Sequence, residues 1–329
     1  MRAYIIRRLL LMIPTFLVVT VTVFFLIRFV PGSVIDQMVQ QMGATGGGII
    51  ETRAQLEEAL GLDVPIHRQY GAWLGVWPNK EGHFSGILQG DVGSSLWRRV
   101  PVSQEIFERL PISLELGILG IISALILAIP IGIYSAIRQD SWGDYTGRSI
   151  AILAISLPSF WVGTMVMVYP SIWWGWSPAI KYIPFVTNPL GNLQQFIIPA
   201  VILGMVLSGG TMRMVRTMML EVLRQDYIRT AWAKGLTEKA IVLRHALKNA
   251  MIPVVTMVGS QIPILIAGEV IIETIFVLPG IGLLLVEALN RRDYPVISGV
   301  NLFTATAVMI VNLAVDLTYG YLDPRIQYR

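Results

Sequence analysis

The 329-residue sequence contains no cysteine, and its three histidines, His67, His83 and His245, lie far apart. Without cysteine the chain forms no disulfide and carries out no thiolate chemistry. The histidines lack the spacing of metal ligands, so we expect neither a metal nor a cofactor in this chain. Charged residues make up 14% of the sequence, against about 25% in a typical soluble domain. With 54% hydrophobic residues, the composition predicts that the bilayer is the solvent of this protein.

Motifs for nucleotide binding and for catalysis are missing as well. The sequence has no Gly-x-x-x-x-Gly-Lys-Ser/Thr loop to cradle phosphates, so this chain should not bind ATP itself. No nucleophile–base pair or metal constellation is apparent, which argues against an enzyme. An ion-coupled secondary carrier is an alternative from a different class, but it needs a buried relay of acids and bases that these few intramembrane charges do not provide.

Six apolar runs are long enough to cross a bilayer, which takes about 20 residues at roughly 1.5 Å each. They are Leu9–Ile27, Leu116–Ile137, Ser149–Tyr169, Phe196–Met212, about Ala250–Phe276, and Val296–Val315. Prolines interrupt several of them, and span helices tolerate proline when neighbouring helices satisfy the freed carbonyls. We therefore predict an all-α membrane protein, a bundle of six transmembrane helices.

The positive charges predict the orientation of this bundle and its division into segments. With both termini inside, the inner segments hold Arg2, Arg7, Arg8, Arg138, Arg148, the cluster in 213–249, Arg325 and Arg329, whereas the short outer loops hold only Lys181, Arg291 and Arg292. The long outer segment 31–110 carries further positive charge, but loops of that length cross a membrane largely regardless of charge. This pattern predicts a multi-pass protein with cytoplasmic N- and C-termini. Residues 1–30 form an anchor span, 31–110 a long extracytoplasmic segment, and 111–329 the core.

The apolar region Ala250–Leu289 is too long for one span. It represents either one span followed by a re-entrant helix or two spans, and Pro279-Gly280 interrupts it. Glu269 and Glu273 lie four residues apart within this region, so we expect them to share a helix face. Charges at mid-bilayer are costly and mark functional positions, which makes this face a candidate lining of a translocation path. The alternative is that Glu273 caps the outer end of the helix near Arg291 or Arg292.

The hydrophilic segment 213–249 is rich in arginine and lysine between two spans. Apolar residues recur at helical spacing on both sides of Gly235, and Thr237 is a candidate N-cap for the second helix. A topology signal or a lipid contact accounts for the charge alone. A helix pair with a defined turn instead favours a docking surface for a partner protein.

This loop resembles that of membrane subunits of ATP-binding-cassette importers, whose loop signature is Glu-Ala-Ala, three residues and Gly, followed downstream by proline. The stretch Tyr227-x-Arg229-Thr230-Ala231-x-Ala233-Lys234-Gly235 is similar to the dipeptide/oligopeptide/nickel branch, with Trp232 as a departure. Pro253 stands at the position of the downstream proline.

Three further regions carry the same resemblance over nearly the whole chain. These are Gln89–Ser95 with Pro101-Val102 and Arg109–Pro111; Glu273–Phe276 with Pro279–Gly282 and Arg292–Pro295; and Asp316–Tyr319 with Asp323–Ile326. The N-terminal Tyr4–Leu9 and the long first outer loop are similar to the B-type of the two paired permeases.

The resemblance implies a type I importer fold in a prokaryotic inner membrane. It implies a second homologous permease, two cytoplasmic ABC ATPases that hold ATP and Mg²⁺, and an extracytoplasmic solute-binding protein, with no nucleic acid. Peptides are the expected cargo, and oligosaccharides or chelated nickel are the alternatives. The residues expected to dock the ATPase are Asp226, Tyr227, Arg229, Thr230, Ala231, Trp232, Ala233, Lys234, Gly235 and Leu236.

Overall fold

The structure is a computed structural model that describes residues 2–28, 34–41, 48–59, 61–79, 82–179, 181–262, 265 and 268–322. Within these ranges the chain is almost entirely helical, and the only extended pairing is the bridge between Ser94 and Pro101. The C-terminal motif Asp323–Ile326 lies outside the described residues.

Thirteen α-helices are assigned within the described ranges. They are α1 Arg2–Arg28, α2 Val34–Gln41, α3 Gly48–Ala59, α4 Ile66–Leu74, α5 Val102–Ile137, α6 Trp142–Ser156, α7 Ser159–Trp174, α8 Pro189–Leu223, α9 Asp226–Ala233, α10 Glu238–Gly259, α11 Val270–Phe276, α12 Ile281–Arg291 and α13 Tyr294–Leu322. A π-helical turn, Ile241–Ala246, lies within α10. A short 3₁₀ turn at Ile87–Gln89 follows α4.

Five of the described helices are long and apolar enough to cross a membrane, and seven crossings result if each of two bent helix pairs counts as one. The predicted six spans fall within this range. The predicted span Ser149–Tyr169 is not a straight helix, because α6 and α7 meet at 89°. Pro158 causes this elbow: a residue before proline is disfavoured in the helical region, so Leu157 is extended and α6 ends.

The predicted span Ala250–Phe276 is also wrong as one helix. Helix α10 ends at Gly259, and α11 begins only at Val270, after Gly268 with a φ of 80°. Helices α11 and α12 form the second bent pair, at 83°, on the two sides of Pro279-Gly280. The region thus contains one candidate span, α10, followed by the bent pair α11–α12. Neither α11 nor α12 is long enough to cross the membrane by itself.

The chain divides into two compact units, residues 1–110 with 284–329 and residues 111–283. In the first unit α1 packs against α13 and α4, where the Thr20 hydroxyl lies 2.9 Å from the Tyr70 hydroxyl. The Asp293 carboxylate accepts hydrogen bonds from the Ser95 hydroxyl at 2.5 Å and the Leu96 amide at 3.2 Å. These bonds hold a stretch of the predicted outer segment against the turn before α13.

In the second unit α8 is the central helix, with α6, α7 and α10 packed against it. Small residues allow close approach: a Cβ on Gly204 would lie 2.6 Å from the Ser123 Cβ of α5. The core at one end of this unit contains a set of buried residues that we call the α8–α10 cluster. It consists of Ala136, Val215, Met219, Ile228, Ala231, Ile241, Val242, Ala246, Ala250 and Val254.

Candidate coupling site

The predicted docking stretch forms a short helix, α9, between two chain reversals. It starts after Gln225, whose backbone is extended, and Asp226 provides an acid in the first turn, where the helix dipole favours negative charge. It ends at Ala233, and Gly235 follows with a φ of 76°, a left-handed conformation that favours glycine. The helix therefore has eight residues and depends on its neighbours for stability.

One face of α9 is attached to the chain's own core. Ile228 is fully buried and Ala231 is 7% exposed, and both belong to the α8–α10 cluster. They are three residues apart, the spacing that places two side chains on one side of a helix. Ala231, which the motif predicts at the ATPase, is buried within this chain, so its methyl group packs inward. Sequence reasoning missed Ile228, although its spacing from Ala231 was a usable signal.

The other predicted docking residues are exposed. Tyr227, Trp232 and Leu236 expose 42%, 49% and 38% of their surface, which is a concentration of large apolar side chains on a ten-residue stretch. The remaining exposed members are Asp226, Arg229, Thr230, Ala233, Lys234 and Gly235. Exposed apolar groups rimmed by charges are typical of protein–protein contact sites.

Two side-chain contacts lie on the exposed face of α9. Arg229 donates to Asp226 at 3.2 Å, a solvent-exposed ion pair within one turn. The Asn249 amide of α10 donates to the Tyr227 hydroxyl at 2.7 Å. Because Tyr227 is held at its hydroxyl end, its ring has a defined position on the surface.

Gly235 has open space around it: a Cβ at this position would meet nothing within 4 Å. Glycine is therefore favoured here by the backbone conformation and not by crowding within this chain. Any requirement for close approach at Gly235 must come from a partner.

Much of the charged segment 213–249 belongs to the two long helices that flank it. Helix α8 continues to Leu223, and α10 starts at Glu238, so only about 14 residues lie between the two long helices. Thr237 does occupy the N-cap position of α10, but its side chain makes no capping hydrogen bond. The predicted helix–turn–helix is confirmed in outline, with its first helix being the end of α8.

A buried ion pair lies near the base of this region, and sequence reasoning did not find it. Asp144 of α6 is fully buried, and its two carboxylate oxygens accept from Arg216 Nε at 2.9 Å and Nη2 at 2.7 Å. Ser135 also donates to this carboxylate, and the Asp140 amide does so at 3.0 Å. The partners are 72 residues apart, and nothing in the local sequence links them.

The two intramembrane glutamates differ in their surroundings. Glu269 lies one residue before α11 with non-helical dihedrals, so the expectation of a shared helix face is wrong. Glu273 is fully buried, and its carboxylate accepts from Ser113 at 2.7 Å and from the Leu283 amide at 3.0 Å. The Ser113 hydroxyl in turn accepts from the Ile281 amide at 2.8 Å. Glu273 and Ser113 thus satisfy free N–H groups in the first turn of α12, as a capping residue does.

Comparison with known families agrees with the motifs of the loop. Residues 128–328 match the family described as "Binding-protein-dependent transport system inner membrane component", and residues 1–117 match its N-terminal companion. The chain belongs to this family. It is therefore a multi-pass membrane component of a binding-protein-dependent transport system, an all-α permease subunit.

The relatives of this permease subunit match it from end to end. It is 39% identical to the dipeptide transport system permease protein DppB of Escherichia coli (strain K12), over 100% of both chains. It is also 39% identical to a putative peptide transport system permease protein of Brucella abortus (strain 2308), and 38% identical to DppB of Alkalihalophilus pseudofirmus, again over 100% of each chain. A crystal structure of an amino acid ABC transporter with histidines covers 67% of the chain and 94% of its own, with 12% identity and a TM-score of 0.48.

Proposed function

We propose that this chain forms the translocation path of an ATP-driven peptide importer together with a second homologous permease. Two ABC ATPases would supply the energy and hold ATP and Mg²⁺, and an extracytoplasmic solute-binding protein would deliver the cargo. The observation that carries the proposal is end-to-end similarity, at 38–39% identity, to proteins named as dipeptide or peptide permeases. An oligosaccharide or a nickel chelate as cargo has no comparable support.

The proposed orientation places both termini and α9 on the cytoplasmic side of a prokaryotic inner membrane. Its support is the concentration of lysine and arginine in the segment 213–249 and near the N-terminus, where Arg2, Arg7 and Arg8 precede the first span. This orientation presents the exposed face of α9 to a cytoplasmic partner.

The partner that fits this face is the ATPase. Docking would bury the rings of Tyr227 and Trp232 and the side chain of Leu236, while Arg229 and Lys234 offer charge at the rim. The free space at Gly235 would admit the backbone of the ATPase. Closure of the ATPases on ATP would then shift the permease pair between inward- and outward-open states.

A bulky side chain at Gly235 tests the docking. Gly235→Arg should leave membrane insertion intact and abolish co-purification with the ATPases, because the side chain fills the space reserved for the partner. Gly61→Arg is the matched control: Gly61 has a φ of 69° and also meets nothing within 4 Å, so the backbone strain is the same. ATPase binding and uptake by Gly235→Arg equal to those of Gly61→Arg would overturn the docking proposal.

The cargo is tested by reconstituting the complete complex in liposomes and measuring ATP-dependent uptake of labelled dipeptide, oligosaccharide and nickel chelate. We expect uptake of dipeptide alone. Of the two acids predicted for the path, we retain Glu269, which is only partly buried, as a proposed lining group. Glu269→Gln should lower uptake of a lysine-containing dipeptide more than that of a neutral one, and an equal effect on both would remove Glu269 from the path.

A further inference from the structure

Helices α6 and α8 run antiparallel and contact each other at two levels, which are separated by the same number of residues in both helices. A Cβ on Gly209 of α8 would lie 2.5 Å from Ile155 Cγ1 and 2.7 Å from the Ala151 carbonyl oxygen of α6. Asp144 lies seven residues before Ala151 and Arg216 seven residues after Gly209, about two turns in each helix. The close contact and the ion pair thus fasten the same two helices at two levels.

The ion pair resists sliding of these helices because of its burial. Asp144 is fully buried, and the Arg216 side chain is 17% exposed. Separating them would leave an uncompensated buried charge, which is strongly unfavourable. Arg148 is the other cation nearby, with Nε 3.4 Å from the Asp144 carboxylate, but it is on α6 and cannot replace a bond to α8. The close contact at Gly209 adds a steric constraint, since packed helices have little free volume.

The fastened pair lies between α9 and the elbow at Pro158. Ile228 and Ala231 attach α9 to Val215 and Met219 on the same end of α8. At its other end α6 meets α7 at the 89° elbow, and α7 packs against α11, where a Cβ on Gly163 would lie 3.4 Å from Ile275. Helix α7 also packs directly against α8, nearer the start of α8. From the α9 end, however, a displacement passes into α6 and on to the elbow only if α6 follows α8.

We propose that Asp144 and Gly209 are positioning residues that make α6 move with α8 as one rigid arm when an ATPase displaces α9. The proposal rests on the proposed function, because it assumes that an ATPase docks at α9. In this arm the Asp144–Arg216 ion pair stays intact throughout the transport cycle. The arm is therefore the opposite of a gate, in which the Asp144–Arg216 pair would open and reform at each turnover.

Asp144→Asn tests the arm in liposomes that contain the complete transporter, with substrate transported per ATP hydrolysed as the readout. We expect unchanged co-purification with the ATPases and a ratio lowered by about 5–150-fold, the range of typical coupling between sites. A role in folding alone would lower the yield of assembled complex and leave the ratio of the remaining complex unchanged. The matched control is Asp36→Asn, which breaks an exposed pair with Arg53 at 3.0 Å and should change nothing.

A covalent link between the two helices distinguishes a rigid arm from a gate. The chain has no cysteine, so Asp144→Cys with Arg216→Cys introduces its only thiols. We expect the unlinked double variant to be uncoupled, and a short thiol-to-thiol cross-linker to restore substrate transported per ATP. The proposal would be overturned if the unlinked double variant transported as much substrate per ATP as the wild type, or if linking abolished transport.

Two comparisons keep this test independent of assembly defects and of the proposed function. If the double variant fails to assemble, Gly209→Ala should uncouple the complex, because its Cβ meets both Ile155 and the Ala151 carbonyl oxygen and forces α6 away from α8. Equal coupling in Gly209→Ala and wild type would refute the arm. Absence of ATP-dependent uptake in the wild-type complex would refute the proposed function, whereas normal coupling in every variant beside an active wild type would refute the arm alone.

Discussion

Truncation of Ile228 to alanine should release α9 from the permease without disturbing the rest of the fold. The change removes three carbons from a fully buried side chain. At about 0.8 kcal/mol per buried CH₂ group, the loss is about 2.4 kcal/mol, and an unrelaxed cavity would raise it within the range of about 2–5 kcal/mol. Because an eight-residue helix has little stability of its own, this loss falls on the packed position of α9.

A loss of about 2.4 kcal/mol lowers the packed-to-open ratio of α9 about 50-fold. Hydrogen exchange measures this directly: the amides bonded within Asp226–Ala233 should exchange about 50-fold faster, while those of α8 keep their protection. Binding of the ATPase should weaken by the fraction of α9 that is no longer packed. Leu243→Ala is the matched control, since it removes the same three carbons from a side chain that is 50% exposed. Unchanged protection of α9 in Ile228→Ala would refute the claim that this side chain attaches the helix.

Two further changes test the buried carboxylates, with thermal unfolding in detergent as the measurement. Glu273→Ala leaves the Ser113 hydroxyl and the Leu283 amide without their acceptor, so we expect a loss of about 1–3 kcal/mol per unsatisfied group. Asp293→Ala removes the acceptor of the Ser95 hydroxyl and should destabilise the protein by a similar amount.

Glu221→Ala serves as the control for both changes, because Glu221 is exposed on α8. A Glu273→Ala variant as stable as Glu221→Ala would show that Glu273 does not cap α12. For Asp293, the contradicting result is wild-type stability with unchanged hydrogen exchange at Leu96.

Much of the helical architecture could be predicted from the sequence, because long apolar runs leave few alternatives in a bilayer. The helices α1, α5, α8 and α13 all contain their predicted spans. The bend within Ser149–Tyr169 could not be predicted from the run of apolar residues, because proline is tolerated in some membrane-spanning helices and bends others. The interruptions at Ser260-Gln261 and Gly268-Glu269 could not be predicted either, because apolar residues surround them on both sides.

The motif predicted the stretch proposed to dock the ATPase, but it did not predict which residues of that stretch face the core of this chain. A motif names positions without saying which of them the chain uses for its own packing, and Ala231 turned out to be one of these. The pair Asp144–Arg216 shows the other limit. Its partners are brought together by the antiparallel contact of α6 and α8, so no spacing along the chain indicates it.

Helix α9 has a buried face that attaches it to the core of this chain and an exposed face that is available to a partner. Ile228 and Ala231 fasten the helix, and the exposed side chains around them take no part in the α8–α10 cluster. If the ATPase docks on the exposed residues as proposed, these residues are free to vary while Ile228 and Ala231 keep the helix attached. Transplanting only the exposed residues of another permease onto this helix should exchange one motor for another, with the pore and its cargo preference left in place.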